Sequence, residues 1–262
     1  MPSKLPAVKE MFVPEVAEAF QAAGINALVY DPRHLGESDG EPRHEIDPSK
    51  QVSDYSDALS FLRTQASVDG DRISFWGMSF SGTIALCAAS LDKRAKSCIA
   101  ACAYLDLKPP PEKIQQVLAK CMKDRESRRI GNPPTYLPML TNAGVNPAGL
   151  RMQLDDEELQ LVATAQRLVA NFEVKSTVET YYNFITWTPE NIIKHISPTP
   201  LLMLVPEYDS WSPPEKQIAL FESLQTRREL HNVKGKGHLT LFTGDGFSDL
   251  MQRQITFLKN VL

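Results

Sequence analysis

A hydroxyl, a carboxylate and an imidazole stand at Ser79, Asp209 and His238, far apart in the chain and each beside an apolar run. A serine hydroxyl becomes a nucleophile only with a base beside it, a third group to orient that base, and donors for the oxyanion that forms. Ser79 lies in the stretch Gly77-Met78-Ser79-Phe80-Ser81-Gly82, between a strand-like run, Ile73 to Gly77, and a small-residue helical run. A tight strand-to-helix turn lifts such a hydroxyl clear of a sheet, and it demands small residues two positions either side of the serine. Gly77 and Ser81 meet that demand, with serine in place of the second glycine of a G-x-S-x-G arrangement and Gly82 directly after. Ser81 is the lesser candidate nucleophile, since it falls a residue or two into the helix.

Acids follow two strand-like runs, Asp106 after the run ending at Tyr104 and Asp209 after Pro200 to Tyr208. Asp209, in Pro206-Glu207-Tyr208-Asp209-Ser210-Trp211, is the stronger candidate, Glu207 is a weaker neighbour, and Asp106 also reads as a helix cap. Of five histidines, His238 sits in Lys234-Gly-Lys-Gly-His238, where glycines let a loop swing a ring toward the serine. The order serine, acid, histidine fits that assignment. His34, beside Arg33, is a supporting candidate, and His44, His195 and His231 read as surface or boundary residues. Met78, Tyr182, Trp187 and Trp211 are candidates to line an apolar substrate pocket, although cap packing explains the aromatic cluster equally well. No cluster of His, Cys and Asp has metal-ligand spacing, and no glycine pattern follows a strand as a nucleotide site requires, so no cofactor and no metal are expected.

The elements that must position these groups alternate. A helix over Val13–Ala23, a buried strand over Ile25–Tyr30, a helix around Val52, Tyr55, Leu59 and Leu62, and further strands starting near Ile73, Ala95, Pro200 and Arg228 describe a mostly parallel α/β sheet. A closing helix spans Asp249–Leu262. Residues 107–197 carry no convincing strand and read as a helical insertion, either a cap over the strands' carboxyl ends or a second helical layer. The core is then 1–106 with 198–262.

The chain has 262 residues, 42% of them apolar, and a net charge of -4. It can build one large core with an insertion, and its charge gives nucleic acid and anionic membrane little to bind. Cys87, Cys98, Cys102 and Cys121 lack CxxC spacing and read as buried reduced thiols of an intracellular protein. The N-terminus lacks a secretory apolar region, and no apolar stretch approaches the roughly 18 residues of a membrane span. The last residues are not a peroxisomal tripeptide, so the cytosol is the expected compartment.

These residues resemble the α/β-hydrolase superfamily over nearly the whole chain, through Tyr30-Asp-Pro-Arg-His-Leu-Gly-Glu-Ser-Asp-Gly40, Gly77–Gly82, Pro206–Trp211 and Gly235–His238. More narrowly, Ala7–Phe20 with Tyr30–Arg43 looks like fungal hydrolase-like proteins of polyketide and host-selective toxin pathways. The resemblance implies a serine hydrolase taking an ester or thioester, or an acyltransferase built on the same three residues, with Phe80 N–H as one oxyanion donor. In the family a second donor follows the third strand, and here Ser3-Lys4-Leu5 stands in that place, which makes Leu5 N–H the second donor. The sheet is then N-terminally shortened and a strand is absent from its middle. Its neighbours close up, a second copy fills the gap as a homodimer, or the chain is a weakly active relative. A non-catalytic binding protein is the reading from another class, and a peptidase is a third.

Overall fold

The computed structural model describes residues 1, 7–169 and 172–262. Four parallel strands, β1 (Ser74–Met78), β2 (Ser97–Ala101), β5 (Leu201–Tyr208) and β6 (Arg228–Gly237), form the main sheet in the order β1-β2-β5-β6. β2 is buried at every position and β5 through Pro206, as a sheet covered on both faces requires. Helices α1 (Pro14–Ala22) and α9 (Phe247–Val261) share one core with Trp76, Met78, Leu202 and Leu204. Helices α2 (Pro48–Leu62), α3 (Phe80–Leu91) and the residues after them share the other. Asp47 caps α2 by accepting from Ser49 N and Lys50 N, and Pro48 starts it. Across the layers, Trp76 Nε1–H donates to Gln254 Oε1 at 2.8 Å, which gives a buried indole its partner. The superfamily sheet expected from the residues is therefore present.

The insertion holds α4 (Pro111–Arg129), β3 (Tyr136–Pro138), α5 (Asp156–Leu168), β4 (Lys175–Thr177), α6 (Val178–Thr186) and α7 (Glu190–Ile193), before β5 returns the chain to the core and α8 (Pro214–Ser223) follows it. It is not wholly helical. β3 and β4 pair antiparallel, Tyr136 with Thr177 and Pro138 with Lys175. Three-residue strands, one of them ending in proline, leave no alternation for a sequence reading to find. α6 packs Tyr181 and Phe184 into the same core as α3.

A second correction falls at Ile25–Tyr30, which is not a strand. The segment is extended and apolar, but it makes no ladder with β1, and a strand exists only where a neighbour accepts its hydrogen bonds. Between them lies a cavity of about 310 Å³, lined by Leu28 and Tyr30 on one side, Ser74 and Phe75 on the other, and Ile99 and Leu258. The two sides have not closed up. The hydroxyl of Tyr30 is buried here with no hydrogen-bond partner among the described residues. An unsatisfied buried hydroxyl costs about 1–3 kcal/mol, so Tyr30→Phe should leave the denaturation midpoint unchanged or raise it. A fall of more than about 1 kcal/mol would mean that the hydroxyl has a partner in solution.

A third difference is at β6, which runs to Gly237, so the glycines at 235 and 237 belong to the strand's end rather than to a loop. Gly235 takes a positive φ of 68° there. All four cysteines are buried, and burial pushes the Cys121 thiol up to about 11 and those of Cys87 and Cys98 higher still. Iodoacetamide at pH 8 should therefore modify these three at least about 100-fold more slowly in folded than in denatured protein. Equal rates, read by mass spectrometry of the peptides, would refute that packing. Among the described residues, no helix is long and apolar enough to cross a membrane.

Candidate active site

Ser79 sits between β1 and α3 with φ 59° and ψ −126°, a left-handed conformation that a non-glycine residue adopts only when its surroundings impose it. Ser79 N–H donates to Ala101 O at 2.8 Å, and Ser79 O accepts from Tyr104 N at 3.0 Å and Gly82 N at 3.0 Å. Ser81 Oγ binds the backbone on the other side of the corner. It accepts from Met78 N at 3.0 Å and donates to Met78 O at 2.9 Å. That hydroxyl braces the turn, which leaves Ser79 as the hydroxyl that faces the imidazole.

Ser79 Oγ–H donates to His238 Nε2 at 2.6 Å, and His238 Nδ1–H donates to Asp209 Oδ1 at 2.8 Å and Oδ2 at 3.0 Å. Asp209 also accepts from Trp211 N at 3.0 Å, Ser212 N at 2.8 Å and Gln217 Nε2 at 3.0 Å. With donors all round it, the carboxylate acts as acceptor, which fixes the proton on Nδ1 and leaves Nε2 free to receive one. All three side chains are buried, with His238 0% exposed. They come from the ends of β1, β5 and β6, three parallel strands whose carboxyl ends share one edge of the sheet.

The alternatives lie elsewhere. Asp106 pairs with Lys216 at 2.6 Å on the surface, and Glu207 pairs with Lys234 at 2.9 Å. His34 Nδ1 meets Pro42 O at 3.1 Å, Arg33 pairs with Asp54, and His44 Nε2 faces Glu173 at 3.4 Å. Phe80 N–H opens α3 and has no hydrogen-bond partner among the described residues, as an oxyanion donor must. Leu5 lies outside the described residues. Glu10, Asp31 and Glu37 are close enough to share a cation, and Lys9 Nζ already meets them at 3.1, 3.2 and 2.5 Å.

The four pocket candidates separate. Trp187 packs edge-on to Phe80 at 6.1 Å, and Trp211 stacks flat on the His238 ring at 4.7 Å and 11°. Tyr182 carries the Arg125 guanidinium over its ring at 3.9 Å, while Met78 is buried in the opposite core with α1 and α9. Two further groups were not singled out in the sequence. Gln217 Nε2 joins Asp209 to Ser212 O at 2.7 Å, and Tyr104 meets His238 edge-on at 6.0 Å. Neither has a local signature beyond lying near an acid or a strand end.

A hydroxyl, imidazole and carboxylate bonded in line can activate the hydroxyl for attack on an acyl carbon. Residues 11–245 match the family described as "Serine aminopeptidase, S33". The chain belongs to this family of α/β hydrolases. It is 49% identical over 253 residues to a thiohydrolase of Eupenicillium brefeldianum, covering 96% of this chain and 82% of that one. It is 39% identical over 261 residues to the polyketide transferase claH of Penicillium crustosum, covering 97% and 85%. Its fold superposes on the α/β hydrolase GrgF from Penicillium sp. sh18 with a TM-score of 0.89 and 37% identity, covering 99% and 88%. The likeness to fungal hydrolases and polyketide transferases expected from the residues is thereby established.

Proposed function

We propose that the chain is a serine-dependent acyl hydrolase taking a thioester or ester of a polyketide-derived acid. The observation that carries this reading is the line Ser79 Oγ, His238 Nε2, His238 Nδ1, Asp209, with contacts of 2.6 and 2.8 Å. Relatives that carry the names thiohydrolase and polyketide transferase support the choice of acyl group. As Ser79 Oγ bonds to the acyl carbon, its proton passes to Nε2 and the carbonyl electrons move onto oxygen. Phe80 N–H meets that oxyanion, and Asp209 stabilises the imidazolium. The bond to the leaving thiol or alcohol then breaks, and Nε2 returns the proton to it. Water attacks the acyl-serine by the same route in reverse, and the acid leaves.

Transfer to an alcohol or thiol uses the same residues, and the burial of Ser79 and His238 favours it as the second reading, because a dry site disfavours water as the acceptor. A fluorophosphonate probe should label the wild-type chain and not Ser79→Ala, and p-nitrophenyl esters and acyl thioesters should be cleaved with a burst of product. Adding an alcohol then partitions the acyl group between acid and ester, which separates hydrolysis from transfer. Folded wild-type protein that takes no label would sink both readings in favour of a binding protein.

A further inference from the structure

The insertion reaches the histidine at three points. Tyr104, edge-on to the imidazole, donates its hydroxyl to Arg151 O at 3.1 Å. Trp211, stacked on the imidazole, donates Nε1–H to Gln153 O at 3.2 Å. Glu158 Oε1 accepts from the backbone N–H of Leu239, the residue directly after His238, at 3.3 Å. The first two contacts hold the ring's neighbours, and the third holds the backbone that carries the ring.

Glu158 has two jobs on two oxygens. At the start of α5 it completes a capping box with Asp155. Glu158 N donates to Asp155 Oδ1 at 2.8 Å, and Asp155 N donates to Glu158 Oε2 at 3.3 Å. A capping box uses one carboxylate oxygen and stays at its helix. Here the other oxygen leaves the helix for the main sheet's histidine loop. Glu158 is 4% exposed, and among the described residues no lysine or arginine pairs with it.

We propose that Glu158 is a positioning residue for His238, through which the insertion fixes the histidine loop and sets the charge around the imidazole. Burial raises the Glu158 carboxyl above the usual carboxylate range; the N–H bonds from Asp155 and Leu239 oppose that rise, and attraction to His238 adds a smaller opposing effect. A folded-state value above the unfolded one means that the contribution to stability is present at low pH and lost as pH rises through the folded value. At neutral pH the buried carboxylate therefore costs stability. A glutamine could accept only one of the two backbone N–H bonds that end on Glu158, so a carboxylate with both oxygens engaged is what joins Asp155 N to Leu239 N. The other groups facing His238 are Asp209 on the β5–α8 connection, Ser79, Tyr104, and Cys102, whose Sγ lies 3.8 Å from His238 O. Glu158 thus adds a carboxylate near the ring, borne by the insertion and held on the backbone N–H of Leu239.

The inference rests on reading Ser79, His238 and Asp209 as the reacting groups. Three variants separate its parts: Glu158→Ala loses both oxygens, Glu158→Gln keeps one acceptor oxygen and loses the charge, and Asp155→Ala loses the cap's other half alone. With p-nitrophenyl acetate, Glu158→Ala should lose about tenfold in kcat with KM within about twofold, as loosened placement of a reacting group does. Glu158→Gln should recover most of kcat yet move the acid limb of kcat/KM, and the His238 ring titration read by NMR, to lower pH by about half a unit. Asp155→Ala should lower the melting temperature and keep kcat within about twofold. Equal kcat losses in Asp155→Ala and Glu158→Ala would reduce Glu158 to a helix cap and overturn the proposal. So would an unmoved titration in Glu158→Gln. The NMR titration needs no turnover, so it still decides the role of Glu158 if Ser79 proves unreactive.

Discussion

Replacing His238 with alanine should lower kcat on a p-nitrophenyl ester by about 10⁴- to 10⁶-fold while the circular dichroism spectrum stays that of the wild type. In the proposed mechanism the imidazole takes the proton from Ser79 as the acyl bond forms and gives it to the leaving group as the old bond breaks, so its loss removes both transfers. Its 2.6 Å contact with Ser79 Oγ leaves no room for a water between them, so the transfer is direct. Asp209→Asn should cost about 10⁴-fold, because an amide can present its N–H to Nδ1 and hold the ring in the tautomer that cannot accept from serine. Gln217 Nε2 and two backbone N–H groups already surround Asp209, and they favour an asparagine oxygen turned toward them, which sets the geometry of the replacement. On that mechanism the three residues act as one unit, so the combined variant Ser79→Ala, His238→Ala should be no slower than the worse single variant. A residual rate above water would then measure Phe80 N–H and binding alone. Steady-state kinetics with the purified variants decide this, and a His238→Ala enzyme within tenfold of wild type would refute the assignment.

The second large effect concerns folding. A Cβ on Gly77 would stand 2.1 Å from Ser81 O, 2.4 Å from Ser81 C and 2.7 Å from Gly82 N. All three are backbone atoms of the first turn of α3, which is itself buried along nearly its whole length. The methyl group can be admitted only by moving the helix off β1 or by unwinding the turn that carries Ser79. Overpacking of a core typically costs about 1–3 kcal/mol, and a clash with fixed backbone lies at or above the top of that range. Gly77→Ala should therefore lose about 3 kcal/mol or more in urea denaturation, or fail to accumulate as folded protein. Gly82→Ala provides the comparison, since its Cβ would meet Ala101 O at 3.1 Å and Gly77 O at 3.2 Å, and it should lose about 1 kcal/mol. A Gly77→Ala protein as stable as Gly82→Ala would show that the corner relaxes more freely than its packing implies. Activity in any folded Gly77→Ala protein should fall as well, because displaced backbone moves both Ser79 Oγ and Phe80 N–H.

The two glycines also show why the corner was legible at all. Close backbone approach leaves a mark on residue type, and that mark sits within a few positions of Ser79. The order of Asp209 and His238 along the chain, each just past a strand, was legible for a similar reason: parallel strands bring their carboxyl ends to one edge. Ile25–Tyr30 marks the limit. Its apolar run satisfies every local rule for a buried strand, but a ladder needs a neighbour, and across from it lies a cavity instead. The short β3–β4 pair fails in the opposite sense, since two three-residue segments separated by a whole helix acquire their pairing only from the packing around them.

Residue types and their spacing alone pointed to the α/β layering, the strand-to-helix corner at Ser79 and the acid and imidazole that the fold brings to it, because strand period, turn sterics and chain order are local or directional properties. Tertiary structure alone decided that Trp211 lies flat on the imidazole instead of lining an open pocket, that Met78 points into the opposite core, and that a capping glutamate at 158 reaches Leu239, 81 positions away. Those contacts depend on where the insertion settles over the sheet, and no periodicity records a contact between elements so distant in the chain.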